Sequence, residues 1–483
     1  MNTSLKLVNP DCSEEILSVL MANFELQRSS FLNTDSESYQ ERKMHLINLK
    51  RMLVENRETI LEALSKDYGN RSYYESLLAE VIPVTDDINT TIKRLKKWMR
   101  VQKRHVDLSL YFGAKNRVIP QPLGVIGIIT PWNFPINLTF SALAATFAAG
   151  NRAMVKMSEN SINLSRLLIE LLPRYFKQEK LQIFEETGAV GPEFSKIPFD
   201  HLMFTGSGET GKKVMASAAK NLTPVTLELG GKSPAIVDPK YPLAKAIERI
   251  MFVKQFNAGQ ICTTVDYVYV HVSQIEDFVE AAKSWVKIHC PDIVSKDYTS
   301  IIDARSFARL SDTLADAESK GARVINLCNQ EAMPESRKLP ITLVLNTTDE
   351  MIISNRETFG PILMVKAYNE PQQVIEDVCH KARPLALYPF TNNKKLASLY
   401  IDRIMSGGVT VNDALFHVGQ HDLPFGGVGG SGMGHYHGYE GFLTFSKLRP
   451  VMYQASFSSI KFLAPPYGKF ADRVLNIMAK LKS

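Results

Sequence analysis

Three short stretches carry side chains suited to acyl chemistry. Cys262 stands in FNAGQICTT (256–264), Glu228 in TLELGGKSP (226–234) and Asn133 in TPWNFP (130–135). A thiol held near a tight turn can act as a nucleophile once a base or backbone N–H groups favour its thiolate. A carboxylate among apolar neighbours is shifted toward the range of a general base. An amide held between two prolines can donate to a developing oxyanion. Each stretch also has a plain structural reading: a small buried hydrophobe, a capping or ion-paired glutamate, and a rigid turn. Together the three make a parts list for covalent acyl chemistry. A cysteine hydrolase would use the same list and add a histidine base. The histidines point elsewhere. His417 and His421 in HVGQH lack the glutamate of HExxH and enclose Gly419, and HYH (435–437) lies in a glycine-rich loop, so no metal site is expected.

A second group of residues suits a nucleotide. FTGSGETGKKV (204–214) runs from strand to helix with Gly206, Gly208 and Gly211, a turn that lets backbone and helix N-terminus approach a phosphate. It matches neither GxGxxG nor a P-loop. VKMSEN (155–160) places Lys156 and Glu159 just after a strand, where an acidic residue can hold ribose hydroxyls. The plain reading of both is an ordinary strand–loop–helix junction.

The elements that must position these groups alternate. Residues 14–32 and 37–66 are expected to be helical, with Leu46, Leu49, Leu53, Ile60 and Leu64 at helical spacing, and helical character is expected to continue to about 104. The basic end of that region (91–105) has an apolar stripe of Ile92, Leu95 and Met99, so it reads as a solvated helix face more readily than a nucleic-acid surface. Beyond 105, buried strands are expected at 125–129, 153–156, 201–206, 224–229, 234–237, 266–272, 322–327, 340–345, 361–368, 385–390 and 407–412. Helical stretches (138–149, 209–220, 242–256, 274–288, 303–319, 371–380) lie between many of them, which gives an α/β fold built on parallel sheets. Residues 418–450, rich in Gly and aromatics, fit neither pattern.

The 483 residues suggest two to four domains. Apolar residues are 45% and charged residues 22%, ordinary for a globular chain, and a net charge of +6 does not by itself call for nucleic acid. Cys12, Cys262, Cys290, Cys328 and Cys379 form no close pair, so a reducing compartment is expected. MNTSLKLVNPDCSEE at the N-terminus lacks the apolar core of a secretory leader. The longest apolar candidate, 123–150, is broken by Pro131, Trp132, Asn133 and Pro135, short of the roughly 18 residues of a membrane span. A cytoplasmic protein without a membrane anchor is the resulting expectation.

Taken in order, PWNFP, LELGGKSP, FNAGQIC, ETFGPIL (357–363) and PFGGVGGSGMG (424–434) resemble the aldehyde dehydrogenase family over about residues 40–450. FDHLMFTGSGETGKKVMASAAKNLTPVTLELGGKSP (199–234), RPLALYPFTNN (383–393) and GHYHGYEGFLTFSKLRPV (434–451) are similar to its class 3 branch, which includes fatty and coniferyl aldehyde dehydrogenases. The resemblance implies a Rossmann-type NAD(P)-binding domain (1–105 and 123–231), an α/β catalytic domain (232–417), and a β bridging arm and tail (106–122 and 418–483). It implies Cys262 as nucleophile, Asn133 with the Cys262 backbone N–H as oxyanion hole, and Glu228 as the base that activates water. Lys156 and Glu159 would hold the adenine ribose. Thr205, Gly206, Ser207 and Gly211 would approach the pyrophosphate, Glu357 would bind the nicotinamide ribose, and Phe359 would lie beside the ring. NAD, with NADP possible, is the implied cofactor and a homodimer the implied assembly. The implied substrate is coniferyl or another aromatic aldehyde, with a medium- or long-chain aliphatic aldehyde as the alternative. Thr263 and Thr264 depart from the branch pattern beside the nucleophile and leave the substrate pocket open.

Overall fold

In the computed structural model, residues 13–108, 111–458 and 463–482 are described. The N-terminal stretch through Cys12, on which the leader expectation rests, lies outside the described residues.

The alternation of apolar strand and helix produces two mainly parallel sheets. The first has six strands in the order Gly432–Met433, Val225–Leu229, His201–Gly206, Val125–Ile129, Arg152–Lys156 and Leu181–Phe184. All its pairings are parallel except that of Gly432–Met433. Val125–Ile129 is buried at every position because helices cover both faces of the sheet, which is why it reads VIGII without a polar residue. The Ala-rich helix Pro135–Ala149 is buried on nearly all sides, and its small side chains allow close approach to its neighbours. It ends at Gly150, whose φ of 91° is a left-handed conformation suited to glycine.

The second sheet has seven strands: Arg323–Asn326, Thr342–Leu345, Ile362–Tyr368, Val265–His271, Ser233–Val237, Ala386–Phe390 and Gly408–Val409. Only Arg323–Asn326 runs antiparallel to its neighbour. A third, antiparallel sheet joins Gln102–Arg104, Lys115–Pro122 and Ser446–Tyr453, the last two paired from Pro122↔Ser446 to Lys115↔Tyr453.

The expected strands at 125–129 and 201–206 match the observed bounds. Other expectations needed tertiary correction. The helix expected over 37–66 breaks at Asn56 into Tyr39–Glu55 and Arg57–Tyr68. Helical character ends at Trp98 rather than 104, because Gln102–Arg104 is drawn into the antiparallel sheet. The strand expected at 407–412 shrinks to Gly408–Val409. Leu181–Phe184 carried too weak an alternation to be read, and Lys115–Pro122 and Ser446–Tyr453 were expected only as the β arm that the resemblance implied. Lys115–Pro122 is mostly half-buried and Ser446–Tyr453 largely exposed, so no continuous apolar run marks either.

Candidate active site

Parallel sheets bind ligands outside the carboxyl ends of their strands, where the strand order reverses. In the six-stranded sheet the chain starts at Val125–Ile129, builds outward through Arg152–Lys156 and Leu181–Phe184, then returns to the other side through His201–Gly206 and Val225–Leu229. The reversal falls between Ile129 and Gly206. TPWNFP therefore leaves the sheet on one side of it, and Thr205, Gly206 and Ser207 on the other. Glu228 lies beside Thr205 in register.

Ser207 caps the helix Gly208–Ala219, its hydroxyl accepting from the Thr210 N–H at 3.3 Å. Two glycines here serve different ends. A Cβ on Gly211 would meet Leu229 Cδ2 at 2.7 Å, so this glycine lets the helix press on the strand. A Cβ on Gly208 would meet nothing within 4 Å, so the first helical turn faces open space. Lys156 ends the adjacent strand and its Nζ lies 2.7 Å from Glu186 Oε2. Burial opposes ionisation of Glu186, but Lys156 and the N–H groups of Gly188 and Gly191 outweigh it and hold its carboxyl below the usual range. Glu159 is exposed, with the Ser158 hydroxyl donating to it at 3.3 Å. Glu186 was not singled out in the sequence. Its only sign there is a position just past a strand and before Gly188.

The thiol sits after a strained turn. Asn257, Ala258 and Gly259 have φ of 53°, 51° and 68°, all left-handed. Such a run persists only where neighbours over-determine it. Glu75 Oε2 accepts from the Asn257 N–H at 3.0 Å and the Thr299 hydroxyl at 2.6 Å, while Oε1 accepts from Gln255 Nε2 at 2.8 Å. Gln260 Nε2 donates to the carbonyls of Asn257 (2.9 Å) and Ser300 (3.1 Å), and its Oε1 accepts from the Ile302 N–H at 3.0 Å. A Cβ on Gly259 would lie 2.3 Å from the Gly360 carbonyl, so that position admits only glycine. Glu75 and Gln260 were missed in the sequence. Glu75, in a polar stretch 187 positions before Cys262, gives no local sign of this partnership.

Cys262, Asn133 and Glu228 converge. Asn133 is buried, and its Nδ2 donates to the Gln260 carbonyl at 3.3 Å. Its backbone carbonyl accepts from the Tyr68 hydroxyl at 3.1 Å and from Asn257 Nδ2 at 3.4 Å. One amide hydrogen of Asn133 thus fixes the side chain beside the cysteine turn, and the second is left for another acceptor. Cys262 is half-buried. Burial pushes its thiol up to about 12, Glu357 and Glu228 push the same way, and the N–H groups of Cys262 and Thr263 pull the other way. Glu228 is 2% exposed, and neither carboxyl oxygen has a hydrogen-bond partner. Burial alone raises its pKa well above the ordinary value.

Glu357 and Phe359 come from the second sheet's side. Glu357 Oε1 is enclosed without a partner, and burial raises the carboxyl to about 8. A Cβ on Gly230 would stand 2.1 Å from Glu357 Oε2, so the glycines of LELGGKSP clear space for this carboxyl. Phe359, with φ of 47°, meets Trp132 edge-on with ring centroids 5.4 Å apart. Asp266 fixes this loop by accepting from the Thr358 N–H at 2.9 Å and its hydroxyl at 2.6 Å. Among the described residues no group of His, Cys, Asp and Glu is placed to hold a metal ion.

Cys262 opens into a cavity of about 720 Å³. Its walls include Leu77, Val81, Phe134, Phe252, Phe425 and Tyr436.

A thiol and unpartnered carboxyls beside the switch point of a nucleotide-type sheet, opening on an apolar cavity, define a class: thiol-dependent enzymes that oxidise aldehydes. The chain belongs to the aldehyde dehydrogenase family, which it matches over residues 23–451, and it is an aldehyde dehydrogenase. It is 44% identical to the probable coniferyl aldehyde dehydrogenase of Pseudomonas aeruginosa, over 96% of this chain and 97% of that protein. It is 36% identical to the dimeric NADP-preferring aldehyde dehydrogenase of Rattus norvegicus, over 88% of this chain and 92% of that protein. The substrate-bound Staphylococcus aureus AldH structure superposes with a TM-score of 0.89 at 32% identity, covering 95% of this chain and 99% of that one.

Proposed function

We propose that this enzyme oxidises an aromatic aldehyde of the coniferyl type to its acid with NAD, through a covalent intermediate on Cys262. The observation that carries the reading is the Cys262 thiol lining an apolar cavity, with the free amide hydrogen of Asn133 beside the cysteine turn and the unpartnered carboxyl of Glu228 near enough to act on the thiol.

The residues suit the cofactor. The first turn of Gly208–Ala219 faces open space for a phosphate, Ser207 and the Thr205–Gly206 backbone lie at the switch point, and Glu357 holds an enclosed acceptor free for a ribose hydroxyl. Lys156 and Glu159 would take the adenine ribose, Gly211 keeps the helix close, and Phe359 would flank the nicotinamide. Bound NAD supplies the hydride acceptor. Two charges favour NAD over NADP: exposed Glu159 repels a 2′-phosphate, and Lys156 is already neutralised by Glu186.

The chain's own groups do the rest. The Cys262 thiol loses its proton to solvent, and Sγ attacks the carbonyl carbon to form a tetrahedral thiohemiacetal oxyanion. Asn133 Nδ2 and the Cys262 backbone N–H hold the oxyanion. After hydride departure leaves a thioester, Glu228 takes a proton from water, which attacks the acyl carbon and frees the acid and the thiol. Asn133→Ala is expected to lower kcat by roughly 10²–10³-fold with little change in KM, since its donor acts on charge that develops at the transition state. An unchanged kcat would remove Asn133 from this role.

The substrate class rests on the aromatic-lined cavity and the similarity to the Pseudomonas aeruginosa protein. The aliphatic wall of Leu77, Leu78, Val81 and Ile82 favours a second reading, a medium- or long-chain aliphatic aldehyde. The test is a panel of aromatic and aliphatic aldehydes with NAD and NADP at equal concentration, followed by nicotinamide absorbance. Coniferyl aldehyde with NAD should give the highest kcat/KM. Turnover confined to aliphatic aldehydes would overturn the substrate reading, and faster turnover with NADP the cofactor preference.

The region around the six-stranded sheet is assigned as the nucleotide-binding domain and that around the seven-stranded sheet as the catalytic domain. The antiparallel sheet is assigned as a bridging arm between two copies. Exposed Leu448, Met452 and Tyr453 on its outer strand support a homodimer. No described helix is long and apolar enough to cross a membrane. The described cysteines are free thiols, which supports a cytoplasmic setting.

A further inference from the structure

The substrate cavity has one acidic wall that the proposed chemistry does not use. Asp86, Asp87, His421 and Tyr436 line the same space as Cys262, among mostly apolar neighbours. Asp87, on the helix Ile82–Trp98, is 6% exposed, and no Lys or Arg among the described residues lies within ion-pair distance of it. Its carboxyl meets the Ser141 hydroxyl, and burial raises it to about 7. His421 Nδ1 lies 3.8 Å from Asp87 Oδ1, and His421 Nε2 lies 3.0 Å from Asp86 Oδ2. A carboxyl taken out of water without a cation is costly unless its lone pairs are used.

Tyr436 gives an independent sign. Its side chain is fully buried, it lines the cavity, and its hydroxyl has no hydrogen-bond partner. It lies near enough to Glu228, Cys262 and Asp87 to feel the charge of each. Cys262, Tyr436 and Asp87 line one cavity.

We propose that Asp87, with His421 beside it and Tyr436 on the same cavity wall, is a hydrogen-bonding subsite for a hydroxyl carried on the substrate far from its aldehyde group. The subsite rests on the aromatic-aldehyde reading and sharpens it to phenolic aldehydes. A phenol donates to the Asp87 carboxylate and leaves its own oxygen to accept. An apolar pocket alone separates substrates weakly, whereas a buried polar group left unpaired rejects the analogue that lacks its partner. Asp87 is a specificity residue here and takes no part in bond making.

The test compares kcat/KM for coniferyl aldehyde, cinnamaldehyde and octanal. Cinnamaldehyde has the same aldehyde chain and ring without the distal hydroxyl and the methoxy group, and 3-methoxycinnamaldehyde, which lacks only the hydroxyl, is expected to behave as cinnamaldehyde does. In the wild-type enzyme the coniferyl-to-cinnamaldehyde ratio is expected to be about tenfold or more. In Asp87→Leu it should fall toward one, chiefly through KM, and Asp87→Asn should retain part of it. A merely structural Asp87 would lower both activities and leave the ratio in place, which would overturn the subsite. If either Asp87 variant fails to fold, the wild-type ratio and His421→Gln carry the test, and a ratio near one in the wild type is enough to reject the proposal. Good turnover of both aromatic aldehydes at equal kcat/KM rejects the subsite while the aromatic reading stands. Octanal alone being oxidised rejects that reading.

Discussion

Cys262→Ala is expected to lower aldehyde-dependent NAD reduction by roughly 10⁴-fold or more, with NAD still binding with near wild-type affinity. The size follows from the covalent route. A free aldehyde has no tetrahedral carbon from which hydride can leave, and the sulfur creates one. The same variant should form no acyl adduct when aldehyde and NAD are mixed and the protein is weighed by mass spectrometry. The proposed nucleotide contacts lie on the turn after Gly206 and on Glu357, outside the cysteine turn, so their loss is not expected. Turnover within tenfold of wild type would remove Cys262 from the mechanism. Retained chemistry at another cysteine would be seen as an adduct on Cys290, Cys328 or Cys379. Cys290 and Cys328 are buried, and their thiols are also raised by burial.

The second large effect concerns Glu228. Glu228→Gln should slow steady-state turnover by about 10²–10⁴-fold while a burst of nucleotide reduction, close to one per active site, survives. The amide is nearly the same shape as the carboxyl but cannot accept a proton from water, so the thioester forms and then stalls. Both oxygens of Glu228 lie unpartnered in a buried position, and its high pKa reflects that burial. Like charges near the thiol raise the cost of ionising either group, so the wild-type carboxyl must give up its proton before it can serve as base. A steady-state rate equal to wild type would show that water is activated elsewhere. Loss of the burst together with the steady rate would place Glu228 in the acylation step instead.

Much of this site could be read from residue types in local strings. The cysteine, the glutamate before two glycines and the amide between two prolines each sit in a stretch whose composition states its own constraint. The strands 125–129 and 201–206 were legible because burial on both faces demands an unbroken apolar run. The antiparallel strands Lys115–Pro122 and Ser446–Tyr453 carry no such run and were expected only as the arm the resemblance implied, because pairing at a surface does not require one. Glu186 was hidden for a related reason. Its partner Lys156 is 30 positions away, and only the alignment of two neighbouring strands brings them together.

By itself, the sequence determined the family, the alternation of strands and helices, and the kinds of side chain available for chemistry, since these are properties of single residues and of short periodic runs. Tertiary structure alone decided that Glu75 and Gln260 hold the left-handed turn before Cys262, that Lys156 is spent on Glu186, and that Tyr436 and Asp87 face one cavity with the thiol. Those facts depend on distances between segments far apart in the chain, and on how far packing removes water from each group. No local pattern records either.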